Sequence, residues 1–170
     1  MRREADASTS RVGGRQHRYE VEVAWTGNRG AGTASYHAYA RDHEARAQRR
    51  PAILASSDPA FRGDPQRWDP ERLLLASLSQ CHLLWYLHLC SEEGVIVVAY
   101  VDRAAGVMVE DDDGGGRFVE VTLRPQVAVS APAMVGPAQR LHERAGALCF
   151  IARSVNFPVH HRPEVRVKDA

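Results

Sequence analysis

The chain has 170 residues, 44% of them apolar, with 22 basic and 21 acidic side chains for a formal charge of +1. That length closes one sizeable core. Its small, well-mixed charge gives no broad field to gather nucleic acid or an anionic membrane surface, so neither is an expected partner.

The early basic residues Arg2, Arg3, Arg11 and Arg15 are followed by Ser, Gly, Gln and His rather than an apolar run. No secretory signal is expected, and the protein reads as cytoplasmic. Residues 1–17 are expected to be a disordered tail. Residues 18–170 then form a single domain.

Residues 19–25 alternate Tyr19, Val21, Val23 and Trp25 with Glu20, Glu22 and Ala24, the period of a half-buried strand. The stretch 26–32, Thr-Gly-Asn-Arg-Gly-Ala-Gly, is rich in residues that tolerate positive φ and places Arg29 at a bend. Residues 33–40 are predicted to return as a second strand. The polar segment 41–68 carries Pro51, Pro59, Gly63 and Pro65, which predicts at most a short strand and then loop.

A helix start follows: Asp69 can cap free amides, Pro70 suits the first helical position, and Glu71 lies in the positive first turn. The helix is predicted to run to about residue 91. Residues 73–90 carry no formal charge and are long enough to cross a membrane. A lone span would bury Ser77, Ser79, Gln80, His82 and His88 in hydrocarbon, so the segment is read as a central helix buried inside a soluble fold. Apolar residues occur all round it, leaving no face plainly for water.

Glu92, Glu93 and Gly94 end this helix. Strands are predicted over 95–100, 107–110 and 118–129, around an acidic turn at 111–116 that reads as solvated loop rather than metal site. A second helix opens at Gly136-Pro137 and places Leu141, Ala145, Leu148 and Ala152 on one face, with Cys149 near its end. Residues 163–168 form a last short strand. Strands, long helix, strands, helix, strand is the order of an α+β domain.

Three cysteines, an odd number in a chain with no export signal, point to reduced thiols rather than a disulfide framework. Cys90 lies nine residues after Cys81, on the opposite side of the same helix, and is assigned to the core. Cys81 sits in the polar patch Ser79-Gln80-Cys81-His82 of an otherwise apolar helix, which marks it as the wall of a site.

The run 69–81, Asp-Pro-Glu-Arg-Leu-Leu-Leu-Ala-Ser-Leu-Ser-Gln-Cys, resembles the approach to the peroxidatic cysteine in the OsmC/Ohr family, the osmotically inducible and organic hydroperoxide resistance proteins. Cys149 follows Cys81 by 68 residues, similar to the spacing of that family's second cysteine, and the Gly-rich bend at 27–33 resembles the place of its active-site Arg. Two features depart from the pattern: Phe150 stands where a Pro commonly follows the second cysteine, and the helix after Cys81 is richer in His and aromatic residues.

The resemblance covers about residues 19–167. It implies an OsmC-like fold, antiparallel sheets around a long central helix plus a second helix, in an intertwined homodimer. It also implies a thiol peroxidase reducing alkyl or lipid hydroperoxides, with Cys81 as nucleophile and Cys149 resolving it. Arg29 and Glu71 would be the other catalytic residues, and a dithiol, a lipoylated or thioredoxin-like protein, the reductant. No cofactor or metal is expected.

At the ordinary thiol pKa only ~3% of a cysteine is ionised at pH 7, so Cys81 needs a cation. It lies some three turns inside the helix, beyond the reach of the dipole. Arg29 is the candidate, with Glu71 to orient it. Ten residues of straight helix separate Glu71 from Cys81 by roughly 15 Å, so either the helix breaks between them or a second subunit donates the Arg29 and Glu71 pair, and the intertwined homodimer that the resemblance implies favours the second. Leu78, Leu84, Trp85 and Phe150 are the candidate apolar walls for substrate.

Two rivals remain. One is a related fold that binds or senses an apolar or thiol-reactive ligand without turnover. The other is a metal protein built on the eight His, although no HExxH, paired CxxC or Cys₂His₂ spacing occurs and His160 and His161 read as solvated. Motifs for serine hydrolysis and nucleotide binding are absent.

Overall fold

The computed structural model describes residues 14–168, so most of the expected N-terminal tail lies outside the described residues. The first strand, β1 (Glu22–Trp25), pairs antiparallel with β2 (His43–Arg46), which pairs antiparallel with β3 (Ile53–Ala55). The return strand is therefore β2, and residues 33–40 form turns instead. The reason is local. The Arg41 guanidinium lies 4.1 Å from the Tyr36 ring centre and 4.3 Å from that of Tyr39, and it donates to the carbonyls of both residues. Carbonyls engaged by a side chain in this way are withdrawn from a ladder.

The long helix α1 (Pro70–Glu92) starts as its sequence dictates. The buried Asp69 carboxylate accepts the Arg72 N–H at 2.8 Å and is also paired with the Arg72 guanidinium. Capping an orphan amide and opposing the helix dipole act together there.

After α1 come β4 (Val97–Asp102), β5 (Ala105–Glu110), β6 (Gly116–Leu123) and β7 (Pro125–Val129). The apolar run 118–129 is thus two strands rather than one. Arg124 gives its N–H to the Asp102 carboxylate at 2.7 Å, and Pro125 has none to give, so the ladder breaks between them. Helix α2 (Val135–Leu148), β8 (Val159–His161) and β9 (Glu164–Val167) complete the chain.

The two later sheets have the orders β4-β7-β9 and β5-β6-β8. Their first pairs are antiparallel, whereas β9 joins β7 and β8 joins β6 in parallel. Parallel pairing requires a long crossover, and α2 lies in that crossover. The class is α+β, with sheets that are mixed rather than purely antiparallel.

α1 sits at the centre of both cores. Tyr86, Leu89 and Cys90 meet Val127, Val129, Ala138, Leu141 and Ala145 in one, and Leu78 meets Val121 and Leu123 in the other. Each such large side chain contributes about 1.5–3 kcal/mol when removed from water.

A face of α1 nevertheless remains open. Leu84 is 67% exposed and Leu87 is 39% exposed, so the helix is not closed in on every side within one chain. Its length and mean hydropathy of 1.3 would pass for a membrane span, yet Ser79 donates to the Asp102 carboxylate at 2.6 Å and His82 Nε2 shares a hydrogen bond with His142 inside the fold.

Candidate active site

The open face of α1 carries Cys81, Leu84, Trp85 and His88, spaced at the three- and four-residue steps that align side chains on one stripe of a helix. These four and Phe150 line a groove of about 280 Å³. Trp85 meets Phe150 edge to face, with ring centres 5.5 Å apart at 90°, and meets His88 at 5.8 Å. His88 is held towards Glu92, one turn on, at 3.5 Å.

Of the expected substrate walls, Leu84, Trp85 and Phe150 line this groove. Leu78 does not. It is wholly buried against Val121 and Leu123, because three residues before Cys81 the helix has turned that position towards β6.

Cys149 closes the C-terminus of α2, where its N–H reaches the Gly146 carbonyl at 3.3 Å. The 3₁₀ turn Ala152–Ser154 holds it from the other side: Ala152 N–H points at the Cys149 sulfur at 3.4 Å, and Arg153 N–H donates to the Cys149 carbonyl at 3.0 Å. In this position the Cys149 thiol lies near enough to Cys81 for the two side chains to interact. Cys149 is 1% exposed, Cys81 is half-buried, and both are free thiols.

Burial first, and then the contact with Cys81, pushes the Cys149 thiol well above the usual thiol range. Cys149 therefore keeps its proton at neutral pH and can donate it towards the Cys81 sulfur. Cys90 is buried in the core, and desolvation raises its thiol too, as expected of a packing residue.

Arg29 is exposed and lines a separate pocket with Tyr39, Arg41, Asp42, Arg62 and Asp64. The bend that carries it is built by Asn28, whose side-chain oxygen accepts the N–H groups of Gly30 and Gly32 at 2.8 and 3.0 Å. Both glycines have positive φ, which a side chain would disfavour. Glu71 lines a third pocket with Asp58, Arg72, Leu75 and Phe118, and one of its carboxylate oxygens is buried without a partner. Within one chain, then, Arg29 and Glu71 meet neither each other nor the groove at Cys81, and among the described residues no Lys or Arg lines that groove.

Behind the thiols lies a buried group that sequence reasoning did not assemble. His82 Nε2 and His142 Nδ1 share a hydrogen bond of 3.0 Å, the Tyr86 ring stacks on His142 at 3.8 Å, and the His161 ring stacks on His82 at 4.5 Å. Expected to be solvated, His161 is instead half-buried on β8. Gly146 permits that approach, since a Cβ there would come within 2.7 Å of the His161 ring. A signal existed in the sequence: Ala138, His142, Ala145 and Cys149 share one face of α2.

Desolvation is the main cause that lowers all three imidazoles, His82 to about 3 and His142 to about 4. Among the described residues no three His, Cys, Asp or Glu side chains are grouped so as to hold a metal ion.

The family model described as OsmC-like protein matches residues 63–164, more than half of the chain. No curated protein matches it. Among solved structures, the chain is similar to an OsmC-like protein of unknown function from Vibrio cholerae O1 biovar eltor, with 28% identity, a TM-score of 0.78 and coverage of 88% of this chain and 100% of that one. An organic hydroperoxide resistance protein from Elizabethkingia anophelis is 15% identical, with a TM-score of 0.64 and coverage of 91% and 100%. Another from Bacillus subtilis is 16% identical, with a TM-score of 0.60 and coverage of 88% and 98%. By the extent of the family match and the agreement of the fold, the chain belongs to the OsmC-like protein family.

Proposed function

We propose that this protein is a cytoplasmic thiol peroxidase that reduces organic hydroperoxides. One observation carries the reading: two cysteines 68 residues apart in sequence lie near enough for their thiols to interact, and one of them, Cys81, lines an apolar groove. In the proposed cycle the Cys81 thiolate attacks the terminal peroxide oxygen. An S–O bond forms, the O–O bond breaks, and the alkoxide leaves as alcohol after taking a proton. Cys149 then gives up its proton and attacks the sulfenic sulfur, expelling hydroxide as water and forming the Cys81–Cys149 disulfide. A dithiol, lipoyl-bearing or thioredoxin-like, reduces that disulfide and is itself oxidised.

The groove supports an alkyl or aryl hydroperoxide over hydrogen peroxide, because Leu84, Trp85 and Phe150 can stabilise only a substrate with an apolar body. Arg29 and Glu71 remain the candidates for holding the Cys81 thiolate and orienting the cation. Since they lie away from Cys81 within one chain, this role requires a second subunit that brings its Arg29 and Glu71 to the groove. That no Lys or Arg among the described residues lines the groove also favours a second reading, a groove that binds an apolar ligand without turnover.

Assay separates the two. Wild type is expected to consume cumene hydroperoxide in the presence of a dithiol, faster than hydrogen peroxide, and Cys81→Ser to lose that activity. Equal, slow consumption by both proteins would leave binding as the function.

A further inference from the structure

The buried histidines sit where they can govern the two thiols. On α1, His82 is the residue after Cys81 and Tyr86 lies just over one turn further. On α2, His142 lies two turns before Cys149. Cys81 lies near Cys149, and Tyr86 stacks on His142, so positions that rise along α1 meet positions that fall along α2. The two helices therefore run antiparallel. Buried in their contact, within about two turns of the sulfur pair, is a side-chain hydrogen bond between His82 Nε2 and His142 Nδ1, and at the exposed end of α1 Arg144 of α2 reaches Glu93 at 3.3 Å.

We infer that His82 and His142 are positioning residues, and that their hydrogen bond, flanked by the Tyr86 and His161 rings, fixes α1 against α2 so that Cys81 and Cys149 meet at disulfide distance. A disulfide demands an S–S separation near 2 Å and close Cα atoms, and ångström-scale slippage between two helices removes that geometry. Apolar contacts alone tolerate such sliding, whereas a buried hydrogen bond has one good geometry and a cost when it is unmade. His82 Nδ1, His142 Nε2 and His161 Nε2 have no other partner, so this bond is the one directional tie among the three rings. Other titratable groups around the cluster are Asp102 and Tyr100 on β4 and His160 on β8.

The inference rests on the dithiol reading of Cys81 and Cys149 but not on peroxide chemistry. Equilibrating the protein with glutathione and glutathione disulfide at pH 7 measures how readily the pair closes: two thiols lose two protons and two electrons, and glutathione disulfide gains them. His142→Asn keeps a hydrogen-bonding atom where Nδ1 stood, His142→Gln moves it by one methylene, and His142→Leu removes it.

The expected disulfide equilibrium constant for Asn stays within about twofold of wild type and falls roughly tenfold or more for Gln and Leu, the loss of effective concentration that misplacement causes. Should Leu fail to fold, the Asn and Gln pair decides the matter. Equal constants in all folded variants, whatever their melting temperatures, would overturn the inference. A wild type that forms no such disulfide would instead overturn the dithiol reading itself.

Discussion

A buried imidazole that must stay neutral makes folding sensitive to acid, and this chain has two with strongly lowered values. His82 and His142 titrate at about 3 and about 4 in the folded protein, against 6.5 for a free histidine. The unfolded chain therefore binds protons at higher pH than the native one. Their contribution is complete above about pH 6.5 and is lost as pH falls towards those lower values, by at most about 1.4 kcal/mol per pH unit for each ring. Urea midpoints measured between pH 7 and pH 4.5 are expected to fall steeply, and less steeply in His142→Asn, which has one imidazole fewer. A midpoint independent of pH over that range would refute the burial of these rings as neutral groups.

The same desolvation governs the proposed resolving thiol. Cys149 is protonated and shielded at neutral pH, so an alkylating reagent of modest size should label Cys81 first and Cys149 and Cys90 only on unfolding. Rates followed by intact-protein mass spectrometry test this ordering, and prior labelling of Cys149 would contradict it.

At the scale of elements, α1 depends on its cap. Replacing Asp69 by Ala removes the acceptor for the Arg72 N–H and the buried partner of its guanidinium, and is expected to cost about 1–2 kcal/mol. Chemical denaturation measures that loss, and a change below a few tenths would mean that the cap is dispensable.

This helix was also the most legible element in the sequence. Asp69-Pro70-Glu71 and the three charges or breaks at 92–94 mark both of its ends, since capping is a local property. Residues 33–40 were not legible as turns, because what removes them from a sheet is the packing of Arg41 against two tyrosines and their carbonyls. Nor was the split at Arg124, which turns on a carboxylate 22 residues away.

Within the candidate site, the groove stripe could be read from helical periodicity. Its limits could not. Leu78 faces the core because of β6, and His161 turns inward because Gly146 leaves room for it, both long-range facts.

At the scale of the whole molecule, one chain is incomplete in two respects. Tyr19, Val21 and Val23 are 88%, 72% and 66% exposed, an apolar row left uncovered among the described residues. Arg29 and Glu71 are likewise distant from the groove they are proposed to serve. A homodimer in which each subunit completes the other's site accounts for both.

Complementation tests the sharing. Cys81→Ser and Arg29→Gln subunits, each inactive alone, should regain about a quarter of wild-type activity when unfolded and refolded together. Half of the dimers are then mixed, and each mixed dimer has one intact site. No recovery, with dimers present by sedimentation, would place Arg29 in the same chain as its cysteine or outside the chemistry altogether.

The proposed catalysis depends on Cys81 and Cys149 acting as one redox pair, and the most direct measurement is peptide mapping after a single equivalent of cumene hydroperoxide. The predicted product is an intramolecular Cys81–Cys149 disulfide formed in step with release of the alcohol, with Cys90 still alkylatable. Unmodified thiols, or a Cys81 oxidised while Cys149 remains free, would contradict the account.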